Sequence, residues 1–258
     1  MTQNHCNLFS DMFIKHSKHI YQTFYRLRIS STHRRSSTVA RMARIVEIKD
    51  NQNAVSTAVT SLKAGNVIAV PTDTIYGVAA LAQSTASVQQ LYTIKRRNGQ
   101  NPVAICVGDV EDLQRWGEVT VSTELLSDLL PGPVTLVFKR RPELNPELNS
   151  STELVGIRIP DCPFIQDVAR AAGSPLALTS ANVSAAGSTL SIQEFQELWP
   201  QIDAVFDGGR LGDSMESRLG STVVNLSIPG HFTIIRPGSA HKRTVEILSA
   251  KHGLLETR

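Results

Sequence analysis

The chain has 258 residues, of which 41% are hydrophobic, 19% charged and 5% aromatic, with a formal net charge of +3. That balance suits a globular protein with room for a sizeable core, and the low aromatic content argues against a base-stacking surface for single-stranded nucleic acid. Cys6, Cys106 and Cys162 show no paired spacing and no apolar run reaches about 18 residues, which argues against a disulfide framework, a zinc site and a transmembrane helix.

The charge is unevenly placed. Residues 1–44 carry +7, with Asp11 their only acid, so the remainder carries −4 and the high overall pI is no sign of a nucleic-acid-binding body. The leader is rich in Arg, Ser and Thr. Phe13, Ile20, Phe24 and Leu27 share one helical side, while Lys15, Lys18 and Arg26 fall mostly elsewhere. This predicts a mitochondrial transit segment. A basic tail without a specific role and a nucleic-acid-binding arm remain open alternatives. Initiation at Met42 would remove the segment, giving a cytosolic form beside the mitochondrial one.

In chain order, residues 45–48 read as a strand, and 53–63 as a helix with Gly65 as its C-terminal cap. Residues 67–70 form an apolar strand, and 84–95 a helix opened by Ser84 with Val88, Leu91 and Ile94 on its apolar side. A strand over 103–107 precedes short helices over 111–116 and 122–130. Strands over 134–138 and 154–159 flank a stretch, 140–152, that reads as an exposed loop. A helix over 163–172 has proline near its start and Gly173 past its end. A strand follows over 176–178. Ser191 with Glu194 signals a capping box for a helix running to Trp199. Late strands over 204–206, 222–226 and 232–235 suggest an antiparallel portion, and a helix over 241–254 closes the chain. This alternation predicts one α/β domain with a mixed sheet.

The chemistry-bearing residues cluster at the ends of these elements. Pro71-Thr72-Asp73-Thr74-Ile75-Tyr76-Gly77 leaves a buried strand and offers hydroxyls and a carboxylate. Lys95, Arg96 and Arg97 follow one helix later, before the polar run Asn98-Gly99-Gln100-Asn101-Pro102. Hydroxyls beside an Arg/Lys pair suit a phosphorylated or carboxylated small molecule. Each residue also has a plain structural reading. Thr72 and Thr74 can cap a turn, the basic trio can meet a helix dipole, and Arg158 in its apolar strand can be a structural ion pair. Ser180 lacks the strained elbow of a nucleophile, and Asp207-Gly208-Gly209-Arg210 is not a P-loop.

Together with Val155-Gly156-Ile157-Arg158-Ile159-Pro160, Thr179-Ser180-Ala181-Asn182-Val183-Ser184, Gly220-Ser221-Thr222-Val223-Val224 and Ile235-Arg236-Pro237-Gly238, these motifs resemble the YrdC family of threonylcarbamoyl-AMP synthases, in family order from about residue 45 to 240. The resemblance implies a single strongly twisted mixed sheet with a deep concave cavity over 45–240, after a leader over 1–44 and before a C-terminal helix and tail over 241–258. Some relatives carry an added C-terminal domain, and this chain is expected to lack one. The resemblance also implies formation of threonylcarbamoyl-AMP and pyrophosphate from L-threonine, bicarbonate or CO2, and ATP with Mg²⁺. The product would serve a downstream tRNA threonylcarbamoyl transferase, with tRNA binding by this chain not required.

By the same resemblance, Thr74, Arg158, Ser180 and Ser221 contact threonine. Lys95, Arg97, Asn101, Asn182 and Arg236 form the ATP site, Lys95 and Arg97 carry the catalytic charge, and Arg96 faces solvent. Cys106 stands where many relatives have His, and in an apolar strand it reads as a buried structural thiol. The alternative function is a module that binds tRNA or double-stranded RNA without turnover.

Overall fold

A computed structural model describes residues 43–49, 51–96, 102–182 and 187–257. Of the leader read as residues 1–44, residues 1–42 therefore lie outside the described residues, while Ala43 is buried and Arg44 opens the first strand. Strand β1 (Arg44–Glu47) and helix α1 (Asn51–Lys63) lead into β2 (Ile68–Val70), β3 (Gly77–Leu81) and α2 (Thr85–Ile94). Then come β4 (Ala104–Cys106), the short α3 (Leu113–Trp116), β5 (Gly117–Glu118), α4 (Thr123–Leu129), β6 (Val134–Arg140) and β7 (Leu154–Arg158). Helix α5 (Pro163–Ala172), β8 (Leu176–Ser180), β9 (Ala204–Asp207), β10 (Thr222–Asn225), β11 (His231–Arg236), α6 (His241–Glu246) and β12 (Leu255–Glu256) complete the body.

The strands form one mixed sheet in the order β1-β9-β2-β3-β8-β4-β7-β6-β10-β11-β12, with β5 beside β6. Alternation along each strand separates its two faces. Val78, Ala80, Ile105, Leu136, Phe138, Val155, Ile157, Ala177 and Val224 enter a core on one face. Ile68, Ala79, Cys106, Leu176 and Leu178 enter a second core on the other, beneath α1 and α5. Helix α1 buries Ala54, Ala58 and Leu62 at four-residue spacing, and α5 buries Phe164, Ile165, Val168 and Ala169. Each buried Leu, Ile or Phe contributes roughly 1.5–3 kcal/mol. Gly173 ends α5 at φ 67°, the left-handed conformation glycine adopts without strain.

Several elements differ from the sequence reading. Strand β3 was unforeseen: Gly77-Val78-Ala79-Ala80-Leu81 has low β propensity, but hydrogen-bonded strands on both sides hold it extended. The strand predicted at 204–206 does not join the late antiparallel pair. As β9 it lies parallel to β1 and β2, more than 130 residues earlier, and only β10 and β11 pair antiparallel as expected. The helix expected from Ser191 is a kinked 3-10 segment, Ile192–Gln201, with Phe195 out of helical geometry and Pro200 inside. Ser191 does not cap it. Glu194 accepts from Leu190 N–H and pairs with Arg218 instead. The closing helix stops at Glu246, passes through a π turn, and yields to β12 beside β11. Asp128 of α4 holds that turn through Lys251 at 2.7 Å and His252 at 2.6 Å.

The stretch 140–152 is only partly the exposed loop expected: Arg141, Pro142, Glu143, Pro146, Glu147, Ser150 and Ser151 are exposed, but Leu144, Asn145, Leu148 and Asn149 anchor it. Leu144 and Leu148 are buried in the first core, and Arg140 donates to the carbonyls of Leu148, Leu144 and Asn145. Asn149 sits at φ 58° and is buried. Its side chain accepts from Val103 N–H at 2.7 Å, donates to Val103 C=O at 2.8 Å and meets Tyr92 Oη. These polar residues look solvated in sequence, yet Arg140 bonds carbonyls of its own stretch and Asn149 the backbone of an element 46 residues away. Replacing Asn149 by Ala strands the amide and carbonyl of Val103. We expect Asn149→Ala to lower unfolding stability by about 2–4 kcal/mol, since each buried group left unpaired costs ~1–3 kcal/mol. Urea denaturation measures this, and a loss below about 0.5 kcal/mol refutes the clamp.

Candidate functional site

Helices α1 and α5 cover only part of their face of the sheet. Beyond them the same strand positions continue as the floor of a cavity of about 470 Å³. Gly77 continues the face of Ala79, Ala104 that of Cys106, and Ser180 that of Leu176 and Leu178. Thr135 and Val137 of β6, Gly156 and Arg158 of β7, and Val223 of β10 extend it. Small residues keep this floor deep. A Cβ on Gly156 would meet Thr135 Cγ2 at 2.9 Å, and one on Gly77 would meet Leu178 Cδ1 at 2.7 Å.

Arg158 ends β7 with its side chain on the cavity face and 8% exposed. Its Nη2 donates to Asp73 at 2.6 Å and to Thr74 Oγ1 at 3.4 Å. The second oxygen of Asp73 accepts from Asp161 N–H at 3.1 Å, so one carboxylate ties the β2–β3 turn to the turn before α5. Arg158 Nε is buried without a hydrogen-bond partner, which is unusual for so strong a donor. The ion pair of the structural reading and a cavity-facing guanidinium thus coexist in one residue.

The turn itself is held by Thr72. Its buried hydroxyl donates to Ile75 C=O at 2.7 Å and accepts from the amides of Thr74 and Ile75 at 3.2 Å. Thr72 Oγ1 and Thr74 Oγ1 lie 3.1 Å apart. Tyr76 is fully buried, its hydroxyl donating to Gly209 C=O at 2.7 Å. Burial first, with Asp207 reinforcing it, pushes that phenol up to about 12.

Arg236, at the end of β11, donates to Ser221 C=O at 2.7 Å and to Ser221 Oγ at 3.3 Å. Among the described residues no carboxylate pairs with it. Burial and then the charge of Arg158 depress its pKa. Two guanidiniums therefore share a cavity in which only Arg158 has an acidic partner. Ser221 Oγ also lies 2.8 Å from Thr135 Oγ1.

Lys95 caps α2 and is 1% exposed. Its Nζ donates to Ser180 C=O at 2.6 Å, to Asn182 Oδ1 at 3.0 Å and to Asn182 C=O. The ammonium thus organises the Ser180–Asn182 segment at the cavity edge. Arg96 is exposed, as expected. Of the residues singled out in the sequence, Arg158, Ser180, Ser221 and Arg236 line the cavity, Thr74 sits behind Arg158, and Lys95 with Asn182 forms its rim support. Arg97 and Asn101 lie outside the described residues.

Sequence reasoning missed two participants. The Asp73 carboxylate counts in sequence as one the loop offers a ligand, and nothing local reveals its arginine partner 85 residues away. Thr135 could have been found: it is the polar residue out of step with Val134, Leu136 and Phe138 in a buried strand. Cys106 is fully buried, and burial raises its thiol to about 12. At pH 8 the thiol is then almost wholly protonated. We expect Cys106 to resist iodoacetamide at pH 8 in the native chain and to react once denaturant unfolds it. Site-resolved mass spectrometry reads this out, and rapid native labelling of Cys106 contradicts the inert role.

The family model for Sua5, YciO and YrdC, described as "Telomere recombination", matches residues 60–238. The chain is 55% identical to mouse threonylcarbamoyl-AMP synthase over 207 residues, covering 80% of this chain and 74% of the mouse protein. It is 55% identical to the human threonylcarbamoyl-AMP synthase over 204 residues, covering 78% and 73%. Among solved structures, Pyrococcus abyssi Sua5 complexed with L-threonine aligns with a TM-score of 0.71 at 24% identity, over 84% of this chain and 63% of that one. Escherichia coli YciO aligns with a TM-score of 0.68 at 24% identity, over 76% and 96%. At that identity the structural likeness is one of fold.

Proposed function

The chain belongs to the Sua5/YrdC family, and on that premise we propose that it is a threonylcarbamoyl-AMP synthase. The amine of L-threonine attacks the carbon of bicarbonate or CO2 to give a carbamate. A carbamate oxygen then attacks the α-phosphorus of ATP and pyrophosphate leaves. Neither step needs an enzyme nucleophile. Both need anions brought together with their charge offset, a task of positioning and electrostatics.

The observation that carries this reading is the pair of guanidiniums, Arg158 and Arg236, in a cavity where one of them lacks a carboxylate and the other keeps a buried, unpartnered Nε. A guanidinium on the cavity wall without a balancing carboxylate stabilises an incoming anion. Arg158 would take the threonine carboxylate, with Thr74, Ser180 and Ser221 around the amino acid. Arg236, Asn182 and Lys95 would serve the nucleotide, and Arg97 and Asn101 join them by resemblance alone. The Lys95 geometry supports a supporting role in addition to its charge, since its protons organise Ser180 and Asn182.

Magnesium fits as a companion of the nucleotide, not as a resident ion. Among the described residues no cluster of three His, Cys, Asp or Glu side chains could hold a metal, and Asp73 is committed to Arg158 and Asp161. The ion would be held by phosphate oxygens. The product would pass to a separate transferase acting on tRNA. The basic leader supports a mitochondrial address, with initiation at Met42 leaving a cytosolic form. Among the described residues no helix is long and apolar enough to cross a membrane.

Pyrophosphate release that requires ATP, L-threonine and bicarbonate together tests the reaction. We expect Arg236→Ala to lower kcat/KM by roughly 10²–10³-fold, the usual loss when one preorganised donor to developing charge is removed, with its thermal midpoint near wild type. Turnover without threonine sinks the reaction, and full activity in a folded Arg236→Ala sinks the site. For the leader, residues 1–41 fused to a fluorescent reporter should direct it to mitochondria, whereas diffuse cytosolic signal refutes the address.

A further inference from the structure

We propose that Thr135 is a positioning residue of the amino-acid site: its hydroxyl orients that of Ser221, so that the pair presents one donated hydrogen bond to an anionic oxygen of the bound amino acid. This rests on the functional reading above and extends it to a residue outside the family motifs quoted from the sequence.

Thr135 is the second residue of β6, opposite Val223 of β10 in parallel register. Its neighbours Val134 and Leu136 turn into the first core, so alternation aims Thr135 into the cavity. It is buried at 4% exposure, as is Ser221. Buried threonine hydroxyls commonly bond to nearby backbone. Thr135 instead meets Ser221 Oγ at 2.8 Å, across 86 residues of sequence.

Proton accounting gives the pair its polarity. Two hydroxyls hold two protons, and one is used in the bond between them, whichever oxygen donates. Arg236 Nη2 can only donate, so its 3.3 Å contact occupies a lone pair of Ser221 Oγ. One hydroxyl proton is left over. Within the described residues these two side-chain oxygens meet only each other and Arg236, and both residues line the cavity. A buried donor without an acceptor is completed by a ligand acceptor. Next to Arg158 and Arg236, that acceptor is an anionic oxygen. Valine at 135 keeps the shape of the floor, including the methyl that closes on Gly156, and removes only the hydroxyl.

The test combines titration calorimetry of L-threonine binding to the full chain with steady-state pyrophosphate release. We expect Thr135→Val to weaken threonine binding and raise its KM about tenfold, because the Ser221 hydroxyl keeps its proton but loses the partner that aims it at the charged oxygen. The KM for ATP should stay within about twofold, since the pair serves the amino acid. Thr135→Ser should restore affinity, and in a Ser221→Ala background Thr135→Val should have little further effect. If the wild-type chain binds threonine but releases no pyrophosphate, the functional reading fails while the binding comparison still decides the role of Thr135. Unchanged threonine affinity in Thr135→Val overturns the proposal. So do equal rises in both KM values, failure of Thr135→Ser to restore, or no threonine binding by wild type. If Thr135→Val does not fold, Thr135→Cys gives the same comparison with a weaker hydrogen-bonding group.

Discussion

The site depends on a guanidinium placed in the wall of a sheet. Arg158 sits at the last position of β7, in a strand whose other face is fully apolar. A charge there is costly unless paired, and removing one partner of such a pair commonly costs ~3–5 kcal/mol. Asp73 pairs with it, but through Nη2 alone. The requirement to hold Arg158 therefore shapes the β2–β3 turn. Asp73 must reach across from that turn, Thr72 must hold the turn closed with its hydroxyl, and Asp161 must lend its amide to keep the carboxylate in place. A turn that reads as a ligand loop in sequence is first a bracket for an arginine. Its ligand role follows because the bracket leaves part of the arginine uncovered.

The cavity has a simple geometric origin. A twisted sheet of this width cannot be covered on one face by two helices of 13 and 10 residues. Where α1 and α5 end, strand positions that would otherwise be core become floor. The switch is written in side-chain type along single strands. Leu176 and Leu178 give way to Ser180, and Ala79 gives way to Gly77. The opposite face is mostly apolar, with Thr179 and Thr222 as exceptions, so rigidity comes chiefly from one side of the sheet and chemistry from the other.

How legible this was depended on the range of the interaction. Helices α1, α2, α4 and α5 were readable because periodicity, the Ser84 cap and the Gly173 stop are local. The cavity residues Arg158, Ser180, Ser221 and Arg236 were readable because the motifs that carry them resemble a known family. Features set by distant partners were not. Strand β3 is extended because of β2 and β8, not because of its own alanines. The anchors of the 140–152 segment looked solvated because Arg140, Asn145 and Asn149 are polar, yet their hydrogen bonds go to backbone within the fold. The Ser191/Glu194 pattern was a sound local signal overridden by Arg218, which captured the glutamate.

The two last motifs show why residues far apart in sequence act as one site. Gly238 lies so close to Ser221 and Thr222 that a Cβ would fall 2.3 Å from the Ser221 carbonyl carbon and 2.4 Å from Thr222 N. No side chain fits there. Gly238 N–H also donates to Thr222 Oγ1, and Ser239 N–H donates to Gly220 C=O. The Ile-Arg-Pro-Gly stretch is thus laid backbone to backbone against the Gly-Ser-Thr stretch. Arg236, two residues before the contact, donates from there to Ser221. The glycine touches no substrate in this reading, yet it fixes the separation between the unpaired guanidinium and the hydroxyl pair beneath it. An alanine there would push β10 and the end of β11 apart. The anion site would open from its base even with every charged and hydroxyl-bearing residue still in place.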